Sequence, residues 1–145
     1  MKKLIHILAW LAIIGNLCLI ALIAFWLLFP YKTTYVNQPI KILNANHEIR
    51  TGDPIKVKLE INKPNGLSPE SQRFIVCEDG NLVTIAKSSI TLPRGSYIII
   101  SDKTVLPPKV TIGAICKLQI TNTYRLNPIR DETATWLSEN FKVIQ

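Results

Sequence analysis

Residues Leu4 to Phe29, LIHILAWLAIIGNLCLIALIAFWLLF, run for 26 positions without an Asp, Glu, Lys or Arg, and that run limits what the chain can be. At about 1.5 Å per helical residue it reaches roughly 39 Å, more than a hydrocarbon core of about 30 Å, so it crosses a bilayer with some tilt. The reading is a transmembrane signal-anchor helix at 4–29. A cytoplasmic stub at 1–3 precedes it, and a linker at 30–34 leads to one domain at 35–145. Lys2, Lys3 and the amino terminus precede the run while only Lys32 closely follows it. The positive-inside rule then puts the amino terminus inside a cytoplasmic membrane and the domain on the periplasmic, extracytoplasmic side. A cleaved secretory signal is the competing reading, but its apolar region is about 7 to 15 residues long and ends in small residues. This run is longer and ends in Phe25, Trp26, Leu27, Leu28 and Phe29.

Trp26 and Tyr31 bracket the outer boundary, where amphipathic aromatic rings settle, and Pro30 stands where the helix stops. Lys2, Lys3, Trp26, Tyr31 and Lys32 are therefore the expected interface anchors, with the lipid bilayer as the first partner. Gly15 and Asn16 interrupt the middle of the run. A carboxamide in hydrocarbon needs a hydrogen-bond partner, found either on its own helix or across a pair of helices. Gly15 and Asn16 are thus the candidates for helix association into a homo-oligomer. His6 reaches headgroups near the inner end, and Cys18 reads as a small apolar filler.

The 115 residues after Pro30 are enough for one ordinary domain and too few for two. The formal charge is +7, and subtracting Lys2 and Lys3 leaves +5. Its lysines, from Lys32 and Lys41 through Lys87 to Lys142, are spread along the chain, unlike the block of a nucleic-acid-binding tail. They make a solvated basic surface, attracted to anionic headgroups, and no nucleic-acid partner is expected.

From Tyr35 the apolar period changes from helical to two, the pattern of half-buried strands. Residues 35–43 make a first strand kept at a sheet edge by Pro39. After a turn at Gly52, Asp53 and Pro54, Ile55, Val57, Leu59 and Ile61 alternate with Lys56, Lys58 and Glu60, one face core and one face wet. Residues 63–71 read as a loop, 72–78 as a buried strand, and Asp79, Gly80 and Asn81 turn the chain into 82–92. A short strand at 96–101 precedes the paired prolines Pro107 and Pro108. In 113–127, Ala114, Cys116, Leu118, Ile120 and Tyr124 share one face. The closing strand, TATWLSENFKVI, offers Leu137, Phe141 and Val143 to the core. Turn signals every 8 to 12 residues predict a mainly β, antiparallel, immunoglobulin-like sandwich of about seven strands. In that order the strands holding Cys77 and Cys116 are neighbours in one sheet, so the two can pair. Closing a loop of about 40 residues in an oxidising compartment would stabilise the fold by about 4 kcal/mol. Two buried thiols remain the alternative, because a bridge needs both side chains opposite one another on one face.

Catalytic chemistry finds little to use. His47 is the sole histidine after the helix and stands beside Glu48, a poor metal site by itself. With one histidine, no nucleophile elbow, no phosphate loop and no cysteine-rich zinc pattern, neither a Ser/His/acid nor a Cys/His set assembles. Glu78-Asp79 and Asp131-Glu132 read as surface charge in turns. The expectation is a protein that is not an enzyme, without catalytic, cofactor-binding or metal-binding residues.

The carboxy-terminal third carries a Pro-rich approach, Gly113, Tyr124, the Asn127-Pro128-x-Arg130 turn and Phe141. With Tyr31 and Lys32, it resembles the last strands of small membrane-anchored immunoglobulin-like proteins of tailed-phage and prophage genomes. The resemblance implies the fold and a phage origin, and no activity. The general immunoglobulin pattern places a tryptophan on an inter-sheet cysteine pair. Here the presumed second strand lacks a cysteine, and Trp136 falls in the closing strand. The functional expectation is a non-enzymatic, single-pass anchored protein that binds or assembles with an envelope or phage component, with 63–71 and 106–109 as contact loops. One alternative is a membrane-active phage or prophage protein acting through its helix in superinfection exclusion or lysis. Another is a virion or secretion-system subunit.

Overall fold

The computed structural model describes residues 2–89 and 91–145; Met1, Ile90 and the side chains of Lys2 and Ala86 lie outside the described residues. The apolar run forms one helix, α1 (Lys2–Leu28). With a mean hydropathy of 2.6 and no part of its apolar window buried, α1 is long and apolar enough to cross a membrane. Helix-compatible Leu, Ala and Ile carry it without a break through Gly15 and Asn16. Pro30 disfavours helical backbone at Phe29, and α1 stops one residue earlier.

The remainder is mostly β. In chain order the strands are β1 (Tyr35–Val36), β2 (Lys41–Ile42), β3 (Glu48–Arg50), β4 (Pro54–Lys63), β5 (Glu70–Cys77), β6 (Leu82–Ser89), β7 (Gly95–Val105), β8 (Ile115–Asn127), β9 (Arg130–Leu137) and β10 (Phe141–Ile144). β4 is the middle of the first sheet. β7 pairs with it on one side from Pro54↔Val105 to Lys63↔Gly95. β1 and β2 share its other side, in register at Tyr35↔Asn62 and Ile42↔Val57. The expected strand at 35–43 is therefore split, since Pro39 has no N–H to give a ladder.

The second sheet has the order β3-β10-β8-β5-β6, with β9 on the same side of β8 as β10. Two contacts depart from the antiparallel expectation: β10 runs parallel to β3, at Val143↔Ile49, and Ile40 bridges Ser138 in parallel. The closing strand is also two strands, and the break changes which side chains enter the core. Trp136 pairs with Ile120 and is buried, whereas Leu137 stands opposite Gln119 and is 38% exposed. The interruption at 138–140 then shifts the alternation by one, so Phe141 and Val143 again point inward.

The two sheets are stitched together along one margin only. Ile40 N donates to Leu137 O at 2.9 Å, Glu139 N donates to Ile40 O at 2.9 Å, and Ile42 N donates to Glu139 Oε2 at 3.0 Å. At the opposite margin β7 and β6 each end their own sheet, and no ladder joins them among the described residues. Between the sheets, Val36, Ile42, Ile55 and Val57 meet Ile75, Leu118, Trp136, Phe141 and Val143 in one core.

Candidate functional site

The end of α1 is fastened to the domain by the turn between β8 and β9. A helix leaves its last four carbonyls without intrahelical donors, and α1 has no basic side chain in its own last turn. The turn supplies both. Asn127 Nδ2 donates to Trp26 O at 2.8 Å, and Arg130 Nη1 donates to Leu27 O and Phe29 O, each at 3.0 Å. A guanidinium at the negative end of the helix dipole adds electrostatic attraction to these bonds. Asn127 also holds the turn itself, its Oδ1 accepting from Ile129 N at 3.1 Å.

The segment 30–34 is consequently no loose linker. Tyr31, expected as an interface anchor, is half-buried against the core and meets the Phe29 ring edge-on at 5.1 Å. Asn65 Nδ2 donates to Lys32 O, and Thr34 is buried. Trp26 is half-buried, while the side chains of Lys3 and Lys32 are exposed. Farther along α1, Asn16 Nδ2 donates to Ala12 O at 3.0 Å, and a Cβ at Gly15 would meet nothing within 4 Å.

Cys77 and Cys116 face each other directly in the β5–β8 ladder and are joined, Sγ to Sγ, at 1.99 Å. Glu78 N donates to Ile115 O at 3.0 Å, which makes the two cysteines a non-hydrogen-bonded pair, the position where opposed side chains come closest. His47 lies 3.8 Å from Glu139 Oε2. Among the described residues no three His, Cys, Asp or Glu side chains converge as metal ligands.

A cavity of about 690 Å³ lies between the sheets toward the β6/β7 margin, with Leu59, Ile61, Ile85, Ile99, Ile120 and Trp136 on its walls. Two cations intrude on it. Arg73 shares the inward parity of Ser71, Ile75 and Cys77 in β5 and donates from Nη1 to Thr104 Oγ1 at 2.8 Å, bridging the sheets. Burial holds its guanidinium below the ordinary arginine pKa. Lys63, assigned to a loop by the sequence reading, is instead the last inward residue of β4, 3% exposed, with Nζ donating to Leu92 O. Among the described residues neither cation has a carboxylate within 4.0 Å. Both were within reach of strand parity: Lys63 continues 55, 57, 59, 61, and Arg73 continues 75, 77. Within the expected contact loops Lys63, Ser71 and Leu106 are buried, whereas Pro64, Gly66, Ser68, Pro108 and Lys109 are exposed.

No family model and no curated protein matches the sequence. Among solved structures, the sporulation control protein Spo0M from Bacillus subtilis is similar, with a TM-score of 0.43 at 11% identity, over 79% of this chain and 51% of that one. This chain thus spans about half the length of that protein. A likeness of this size assigns neither family nor activity.

Proposed function

We propose that this chain is a non-enzymatic, single-pass membrane-anchored protein whose β domain binds or assembles with an envelope or phage component. In this reading α1 lies in a cytoplasmic membrane with its amino terminus inside. The domain, an immunoglobulin-like sandwich in its layering, faces the extracytoplasmic side.

The observation that supports it is the grip of Asn127 and Arg130 on the carbonyls of Trp26, Leu27 and Phe29. A domain on a loose tether samples all orientations. A domain gripped at the helix end presents the same surface to every neighbour in the membrane plane, which raises its effective concentration toward them and makes weak contacts sufficient.

Replacing residues 4–25 by an unrelated leucine-rich helix, with the gripped turn kept, tests the assignment. Retained capture of the partner in pull-downs from solubilised envelopes supports a domain-based function; lost capture with a folded, inserted domain moves the function to the helix. Protease added to spheroplasts should digest the domain. Digestion seen only after lysis would reverse the orientation.

A further inference from the structure

A guanidinium drawn partly out of water needs acceptors around its charge, and Arg73 is half-buried. Arg73 points from the middle of a central strand into the apolar cavity, where Thr104 Oγ1 takes one of its bonds and, among the described residues, no carboxylate comes within 4.0 Å. The rest of a fork built to hold a carboxylate in two parallel bonds is left without an acid.

The cavity beside it is long as well as apolar. Val57, Leu59, Ile61 and Lys63, successive inward positions of β4, all line it, so it extends along the strand by roughly 20 Å at about 3.3 Å per residue. Its volume of about 690 Å³ falls within the range of small-molecule sites, about 300 to 1,000 Å³. Its margin carries the exposed Lys87 and Lys103 from the two unpaired edge strands against one acid, Asp102.

We infer that the gap between the sheets binds a long-chain carboxylate, the alkyl chain lying along β4 and β7 and the carboxylate on Arg73. Of the two inward cations, Lys63 lies at the far end with its Nζ on Leu92 O, which leaves the Arg73 fork to match a single negative charge, and the apolar walls of Leu59, Ile61, Ile99 and Ile120 match an extended chain. The inference goes beyond the partner-binding reading and does not rest on it.

The test uses the full chain in phosphatidylcholine nanodiscs with palmitic acid carrying a photoreactive diazirine near its methyl end. A matching diazirine alcohol serves as the uncharged control, and labelled peptides are mapped by mass spectrometry. Labelling of α1 reports plain partition into the bilayer and is an internal reference. The expected result is saturable labelling of β4, β7 and β8 peptides by the acid, competed by unlabelled palmitate and about tenfold weaker with the alcohol. Arg73→Gln should lower the domain label about tenfold and leave the α1 label unchanged. If that variant fails to fold, the comparison of acid with alcohol on the wild type decides alone, and Ile99→Trp, which fills the slot, should abolish the domain label. Label confined to α1, or equal labelling by acid and alcohol, overturns the inference. So does a lysine cross-link joining Lys87 or Lys103 of two copies without any domain label, which would give the gap to a second copy.

Discussion

Asn127 reaches the carbonyl oxygen of Trp26 at 2.8 Å across 101 positions of sequence. With Arg130 on the carbonyls of Leu27 and Phe29, it makes a hairpin turn the cap of a helix from which it is remote in the chain. The turn therefore sets the angle between helix and domain.

Removing both side chains should free that angle. Each hydrogen bond to a charged donor contributes about 1.5–3 kcal/mol and each neutral one about 0.5–1.5 kcal/mol, so Asn127→Ala with Arg130→Ala should expose the segment after the helix more often by at least about tenfold. Tryptic cleavage after Lys32 measures this. Cleavage at the wild-type rate would mean the turn does not hold the junction.

The bridge between Cys77 and Cys116 encloses a separation of 39 residues. In the chain-entropy model the double substitution to Ala should lower unfolding stability by about 4 kcal/mol, read from urea unfolding with both midpoint and slope fitted, the slope rising as the unlinked unfolded chain exposes more surface. A reductant acting on the wild type should give a comparable loss.

Trp136 and Leu137 separate two registers of the closing strand. With Trp136 buried and Leu137 on the outer face, Trp136→Ala should cost about 3–5 kcal/mol and Leu137→Ala less than about 1 kcal/mol. Reversed magnitudes in urea unfolding would restore the register with Leu137 inward.

Glu60 sits on the wet face of β4, with Lys58 Nζ 2.9 Å from its Oε1 and Asn37 Nδ2 3.2 Å from its Oε2. The hydrogen bond from Lys58, then that from Asn37, then the charge of Lys58 hold its carboxyl below the ordinary value of 4.5. A carboxyl depressed in the folded state contributes stability above its unfolded pKa and loses it as pH falls through the folded value. Carboxyl NMR should therefore give Glu60 a midpoint below 4.5, and Lys58→Met should raise it. On acidification Glu60→Gln should lose less stability than the wild type. An unchanged midpoint in Lys58→Met would remove Lys58 as the cause.

Period-two alternation made most of the strands readable. Ile55 to Ile61 and Cys116 to Tyr124 lie in β4 and β8 with the inward faces their spacing implies, and the direct opposition of Cys77 and Cys116 follows from two neighbouring strands. The breaks were not readable, because they come from pairing between distant segments. Residues 40–42 meet 137–139 where the sheets join, and this divides what local pattern presents as single strands. The same blindness hid β3 beside β10, a parallel contact that no hairpin signal announces. The grip on α1 was half visible: the Asn127-Pro128-x-Arg130 turn stood out as chemistry, but its target lies at the far end of the chain. Arg73 and Lys63 were written in the strand parity and masked by the habit of assigning charge to the outside.

Because backbone hydrogen bonds fasten the sheets to each other along the margin where Ile40 meets Leu137 and Glu139, side chains and chain connectivity hold the opposite one. Among the described residues the Arg73–Thr104 hydrogen bond crosses between the sheets near that margin, and Lys63 Nζ holds Leu92 O in the short connection that joins β6 to β7. Parting the sheets on that side would uncover core and break these side-chain contacts before any strand ladder opened.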